Sequence, residues 1–284
     1  MRAGRYWNFV WWLDDTGILY DGRLYDDKML FWLYMNDISN IPLSSSSKLF
    51  LFADDVLLFK PIKSNDDFYD FQKDIDAISS WTVINHLTLN TSKTKFMLIT
   101  RTKSCQCPPL LLNGTQIERV SHFKYLGIWL SEDLTWTKHI ESICCKAWRL
   151  LGFIYRTFSP HCSPESILHL YKTQVMPILE YGCIIWDPHF NKDKILLENV
   201  QLFTIRIATR FDKNSSPPLQ LASLESRWQY RKLLYTFKFL NGLPFCPPSF
   251  FTPRDSPISN IRSFHSKCLA QPFAKTVSFY NSFL

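Results

Sequence analysis

Between Lys48 and Lys60 the chain reads Lys-Leu-Phe-Leu-Phe-Ala-Asp-Asp-Val-Leu-Leu-Phe-Lys. Two short apolar runs, 49–53 and 56–59, flank the acidic pair Asp54-Asp55. Runs of this length, rich in Phe, Leu and Val, predict buried strands, and a polar dipeptide between them predicts a tight hairpin turn. The expected element is a β-hairpin with two carboxylates at its tip. Neighbouring carboxylates repel, so the tip needs solvent or a cation to neutralise it. Asp is also an ordinary turn residue, well solvated there.

A hard divalent cation with oxygen ligands, Mg²⁺ above all, suits such a pair. In two-metal phosphoryl transfer, carboxylates of this kind hold the ions that activate a hydroxyl and stabilise the leaving group. The features on either side of the hairpin decide between a turn and a site.

At 284 residues the chain can hold two domains, or one large domain with an appendage. Hydrophobic residues make up 46% of it, enough for real cores. Its longest apolar run, 29–35, is too short to span a bilayer. The N-terminus is basic, but Asp14 and Asp15 interrupt it before any apolar core, which argues against a signal peptide. The eight cysteines form no zinc-knuckle or disulfide spacing, so reduced thiols in an intracellular protein are expected, in nucleus or cytoplasm.

Charge is distributed unevenly. Residues 1–80 carry eight Lys/Arg against thirteen Asp, whereas residues 81–284 carry twenty-four Lys/Arg against twelve Asp/Glu. An acidic part able to hold cations, followed by a basic part, suits a nucleic-acid enzyme better than a small-molecule one.

Residues 1–20 scatter Trp7, Trp11 and Trp12 among Gly, Asp and Thr with no clean periodicity, and no motif is read there. A helix is expected over 24–37, with Asp26 and Asp27 in its first turn. After the hairpin, Phe68, Phe71, Ile75 and Ile78 recur at helical spacing over 66–80, with Asn65 or Asp66 as the cap. Strands are expected at 96–99 and 123–130, the latter interrupted by Gly127, and Asn113-Gly114 marks a hairpin. Helical texture follows over 140–158, 163–180, 192–210 and 221–241, and Pro164 sits at a first helical position. From Pro244 the chain is rich in Pro, Ser and Phe.

In this order the features resemble the reverse transcriptases of non-LTR (LINE-type) retrotransposons, over roughly Leu24 to Arg254. Phe52-Ala53-Asp54-Asp55 resembles the polymerase signature, and Leu33-Tyr-Met-Asn-Asp37-Ile38 the end of the preceding helix. Trp81, Leu87-Thr-Leu-Asn90 and Lys93-Thr-Lys95 are similar to the next palm segment. Phe123-Lys-Tyr125-Leu126-Gly127 is similar to the strand near the primer terminus. Leu179-Glu180-Tyr181-Gly182 with Trp186, Val200-Gln201 with Arg206 and Arg210, and Leu221 through Arg227 are similar to the C-terminal helices.

The resemblance implies an α+β fold. Residues 24–130 would be a partial polymerase palm, a β-hairpin sheet with packed helices, and 131–243 a mainly α-helical thumb or connector. Residues 1–23 would be an atypical leading segment and 244–284 a tail. It also implies RNA-templated DNA synthesis from deoxynucleoside triphosphates with Mg²⁺ (Mn²⁺ in its place), on an RNA template and a DNA primer. Asp54 would be the direct metal ligand and Asp55 its electrostatic partner. Lys93, Lys95, Arg101 and Lys103 are read either as phosphate contacts or as a solvated strand edge. Tyr125 and Gly127 would lie by the primer backbone. Trp129, Trp148, Trp186 and Trp228 are read as packing, and His122, His139 and His161 as non-catalytic.

The chain departs from the family in two places. Asp21-Gly22-Arg23-Leu24 stands where members carry a Pro-Gln-Gly-Ser loop, and no part of residues 1–23 resembles the fingers or the earlier palm strand with its metal-binding aspartate. The reading is therefore a truncated reverse transcriptase, inactive alone. A non-catalytic nucleic-acid-binding remnant and an inert fragment or incomplete gene model are the alternatives. No endonuclease domain, zinc site or membrane partner is expected.

Overall fold

The computed structural model describes the backbone of residues 6–12 and residues 35–52, 55–87, 89–100, 107–158, 162–188, 190–210 and 221–242. It divides into two compact units, Met1–Thr135 and Trp136–Leu284.

The first unit is α+β. Strands β1 (Tyr6–Trp12), β2 (Lys48–Phe52), β3 (Asp55–Ile62) and β4 (Lys95–Ile99) form a sheet with a short strand, Glu118–Arg119, at one edge. The order is β2-β3-β1-β4 and then that edge strand. All pairings are antiparallel except the last, which is parallel.

Helix α1 (Asn65–Ile84) covers one face of this sheet. Its buried Phe68, Phe71, Ile75 and Ile78 share a core with Val56, Leu58 and Ile62 of β3 and with Phe96 and Leu98 of β4. Each such side chain contributes on the order of 1.5–3 kcal/mol through burial. The helix starts one residue earlier than the periodicity implies and runs four further. Ser64 rather than Asn65 precedes it, and the Asp67 carboxylate accepts the backbone N–H groups of Lys63 (2.7 Å) and Ser64 (2.8 Å). These bonds satisfy donors that a helix start leaves without intrahelical partners.

Lys60 occupies the position of β3 between Leu58 and Ile62, on the side that packs against α1, and it is buried. Its ammonium lies 3.6 Å from the Asp74 carboxylate of α1 and donates to Ser44 Oγ at 2.7 Å. Asp74 in turn accepts the Ser44 backbone N–H (2.8 Å), the Ser44 hydroxyl (2.6 Å) and the Ser47 hydroxyl (2.5 Å). One buried charge pair thus ties the segment before the hairpin, the hairpin and α1 together.

Three expectations change, and a fourth falls mainly outside the described residues. Residues 6–12, where no element was expected, form a strand between β3 and β4. The clustered aromatic and branched residues suit sheet geometry. Asp55 is the first residue of β3, paired with Phe52, so it belongs to the ladder and not to the turn. The segment 123–130 is a hairpin of β8 (His122–Tyr125) and β9 (Ile128–Ser131), not one interrupted strand. In order before it come β5 (Leu111–Leu112) and β6 (Thr115–Gln116), the hairpin that Asn113-Gly114 predicts, and β7, the edge strand above. The helix expected over 24–37 falls mainly outside the described residues; its last part is Met35 and a 3-10 turn, Asn36–Asn40.

The second unit is helical: α2 (Thr137–Phe158), α3 (Pro164–Leu170), α4 (Met176–Glu180), α5 (Cys183–Trp186), α6 (Asn191–Arg210) and α7 (Leu224–Leu240). Between α3 and α4 lies one π turn, Tyr171–Val175, just ahead of Pro177. Proline lacks an N–H and crowds the carbonyl four residues back, and a wider turn relieves both.

Residues that are far apart in the sequence meet in this unit's interior. The buried Glu180 carboxylate pairs with Arg227 and Arg231. Tyr171 donates to Gln201 (3.1 Å), and Gln201 donates to the Ala222 carbonyl (3.1 Å). Trp186 is buried with its ring edge-on to His139 (5.0 Å) and Trp228 (5.7 Å). Trp186 and Trp228 are packing residues as expected; Trp148, expected to be one, is exposed and leans on Phe203.

Candidate active site

The hairpin brings Asp55 to one end of the sheet. Register runs from Lys48 opposite Phe59 to Phe52 opposite Asp55, which leaves Ala53 and Asp54 to join the strands in sequence. Asp54 itself lies outside the described residues; Asp55 is half-buried. On the other side of β3, β1 ends with Trp12 opposite Val56, one residue from Asp55. Asp14, Asp15 and Asp21 lie outside the described residues.

Phe50, Leu51 and Phe52 of β2 are exposed, whereas Val56, Leu57 and Leu58 of β3 are buried. The sheet's outer strand therefore presents apolar side chains, among them Phe52 opposite Asp55.

Tyr125 is the second sequence-predicted residue with a described link to this end. Burial raises its phenol above the ordinary value of 10.0, and the Asp55 charge adds to the rise. It stands at the end of β8, next to a two-residue turn of Leu126 (φ 44°) and Gly127 (φ 86°). Two successive positive φ angles match a turn whose twist suits a tight hairpin, which accounts for Gly127. The hairpin's base is anchored to β4: Val120 N–H donates to the Phe96 carbonyl (2.8 Å), and Thr100 N–H donates to the Glu132 carbonyl (3.2 Å). His122 Nδ1 lies 3.0 Å from Ser131 Oγ across the same hairpin, in a structural role. Trp129 is half-buried rather than core.

The basic candidates divide. Lys95 forms an ion pair with Glu118 at 2.6 Å, a partner that sequence spacing did not suggest because it comes from the edge strand. Lys93 is exposed in a turn where Asn90 Oδ1 accepts its backbone N–H at 3.1 Å. Arg101 and Lys103 lie outside the described residues, as does His161. Among the described residues no three His, Cys, Asp or Glu side chains gather as a metal site. No described helix is long and apolar enough to cross a membrane.

Residues 29–130 match the family model of the reverse transcriptase (RNA-dependent DNA polymerase). The chain is 26% identical over 181 residues to a probable RNA-directed DNA polymerase from transposon X-element of Drosophila melanogaster, covering 61% of this chain and 20% of that protein. It is 31% identical over 132 residues to the RNA-directed DNA polymerase from mobile element jockey of the same species, covering 44% and 14%. A jockey polymerase of Drosophila funebris is 28% identical over 137 residues, with the same coverage. The chain thus spans a fifth or less of the length of these relatives. No solved structure matches it. The part of the chain that the reverse transcriptase family model matches, residues 29–130, is the part that holds the acidic hairpin, and the three relatives are RNA-directed DNA polymerases of mobile elements.

Proposed function

We propose that residues 24–130 carry part of the palm of an RNA-directed DNA polymerase, with Asp54 and Asp55 as its acidic pair, and that 131–243 act as a thumb-like helical connector. The supporting observation is the hairpin register: Phe52 opposite Asp55 in a sheet where β3 is flanked on both sides. That register supports the reading, because it fixes Asp55 at the end of the ladder, next in sequence to Asp54.

Adjacent carboxylates are hard oxygen donors and fit Mg²⁺, or Mn²⁺, in kind. By themselves two carboxylates are fewer oxygen ligands than a full Mg²⁺ set. Asp54 would hold the ion and Asp55 would neutralise it from the ladder; a bound ion there supplies charge stabilisation for nucleotidyl transfer. Tyr125 and Gly127 on the β8–β9 turn would meet the primer backbone, and Lys93, Lys95, Arg101 and Lys103 the phosphates of an RNA template and DNA primer. The substrates would be deoxynucleoside triphosphates.

The 284-residue polypeptide alone is proposed not to polymerise. At the positions of the family's nucleotide-pocket loop this polypeptide reads Asp21-Gly22-Arg23-Leu24. A second reading is favoured by β1, which lies beside β3 and ends opposite Val56. Asp14 and Asp15 follow Trp12 by two and three residues, as Asp54 precedes Val56 by two. In that reading an N-terminal acid supplies the further carboxylate that two-metal chemistry requires.

The direct test of the palm assignment is a chimera in which residues 24–130 replace the matching segment of the jockey polymerase. RNA-templated extension by the chimera, abolished by Asp54→Ala, supports the assignment. A folded chimera without activity counts against it.

A further inference from the structure

The last helix of the second unit carries an apolar seam along its outer side. Leu224 and Trp228 near its start are buried, and Arg231 and Lys232 pair with the carboxylates of Glu180 and Asp187. At 100° per residue these four positions share one side of α7. On the other side Tyr230, Leu233, Phe237 and Leu240 follow at intervals of three, four and three residues. That spacing keeps side chains on one seam, as in paired helices. Leu233 is 70% exposed, Tyr230 66% and Phe237 63%, and Leu240 is partly exposed. A formed apolar surface of this kind marks a contact.

Three properties of the seam point to a second copy of the same chain. The first is its self-complementary spacing. In an antiparallel pair of α7 helices with a two-fold axis at the level of Tyr235, Tyr230 faces Leu240 of the other copy and Leu233 faces Phe237. Every layer then sets one aromatic ring against one leucine, so large and small side chains alternate across the contact. The second is charge. Gln229, Leu234 and Thr236 border the seam, and Arg227 at its head is engaged by the buried Glu180. Charges beside a helical seam ordinarily select an unlike partner or repel a copy, and this seam has none free to do so. The third is size. With Leu234 the seam would bury on the order of 400–500 Å² per copy, the area of a weak, reversible dimer. Pairing costs no helix formation, because α7 is already folded onto its own unit.

We propose that the chain forms a two-fold symmetric dimer in which α7 pairs antiparallel with α7 of a second copy, through Tyr230, Leu233, Phe237 and Leu240. The proposal is independent of the polymerase reading. The chain's net charge of +7 opposes self-association at low salt, and screening lifts that opposition. The dimer therefore tightens as salt rises, whereas bridging by nucleic acid or by an acidic partner weakens.

Sedimentation equilibrium of the full chain, freed of nucleic acid, tests it. The wild type should pass from monomer to dimer with a dissociation constant on the order of 10–100 μM, falling as salt is raised. Leu233→Lys and Phe237→Glu, each on an exposed position, should each raise that constant tenfold or more with circular dichroism unchanged. The second arm mixes these two variants in equal amounts. In the antiparallel pair their substituted charges face one another in one layer and leave Leu233 opposite Phe237 in another, so the mixture should dimerise at least tenfold more tightly than either variant alone. A wild type that stays monomeric to several hundred micromolar overturns the proposal and leaves the seam to another occupant. So does a dimer that loosens with salt, one that neither substitution weakens, or a mixture no tighter than its components.

Discussion

The Lys60 ammonium lies 3.6 Å from the Asp74 carboxylate, and both side chains are almost wholly buried, at 1% and 4% exposure. A charge pair in a strand–helix core is maintained only while each partner is present, because desolvation of a lone ion is not repaid. Ser44 and Ser47 complete it by satisfying the carboxylate's remaining lone pairs. Asp74→Ala should therefore destabilise the first unit by about 3–5 kcal/mol, while an apolar pair such as Lys60→Met with Asp74→Leu should recover much of that loss. Urea denaturation of the three proteins checks this; equal losses in single and double variants would mean that the pair is not a unit.

Tyr125 gives a prediction in pH. Its phenol titrates above 10.0, first through burial and then through the Asp55 charge. A raised pKa means that the folded state holds the proton more tightly than the unfolded chain does. The contribution to stability is thus complete below the ordinary value and is lost as pH rises through the folded one. Asp55→Asn should bring Tyr125 part of the way back, since the larger cause remains. Carbon-13 NMR of labelled tyrosine, assigned with Tyr125→Phe, should show the shift; an unchanged titration in Asp55→Asn would separate the two residues.

What was legible in the sequence was local. Apolar pairs at helical spacing marked α1, because Phe68, Phe71, Ile75 and Ile78 face one core. The runs around Asp54-Asp55 marked the hairpin, and Asn113-Gly114 the turn that both its positive φ angles require. What was hidden depended on distant partners. Lys60 looks like a strand's polar boundary until Asp74, one helix later, is placed against it. Strand β1 is held by pairing with β3 and β4, which come some forty and eighty residues later, so its own residues do not announce it. Gly127 alone predicts only an interruption; the turn also takes a positive φ at Leu126, which leucine rarely adopts. Glu118 meets Lys95 only through a parallel pairing at the sheet edge.

Metal binding by the polypeptide alone should be weak. Two adjacent carboxylates provide fewer oxygen ligands than a tight Mg²⁺ site takes, so affinity on the order of millimolar is expected. Isothermal titration of the wild type and Asp54→Ala measures it. A tight site lost in Asp54→Ala would point to a further ligand, with Asp14, Asp15 and Asp21 the first to replace.

Nucleic-acid binding should reside in residues 81–284 and fall steeply with salt. Each phosphate contact removed should flatten the slope of log K against log salt by about 0.9. Replacing Lys93, Lys95, Arg101 and Lys103 by Ala together should show this in fluorescence anisotropy. Lys95 is held by Glu118, so Glu118→Gln should strengthen binding if Lys95 touches phosphate. An unchanged slope would assign all four to a solvated strand edge.

The measurement that bears most directly on the account is primer extension by the unmodified 284-residue chain on an RNA template with Mg²⁺ or Mn²⁺. In-line transfer needs the primer hydroxyl and the triphosphate held together around both ions, and the parts that hold them act as a unit. The account predicts no product above a no-enzyme control. Extension that disappears in Asp54→Ala would contradict it, and would show that the strand beside β3 brings a working carboxylate to the hairpin.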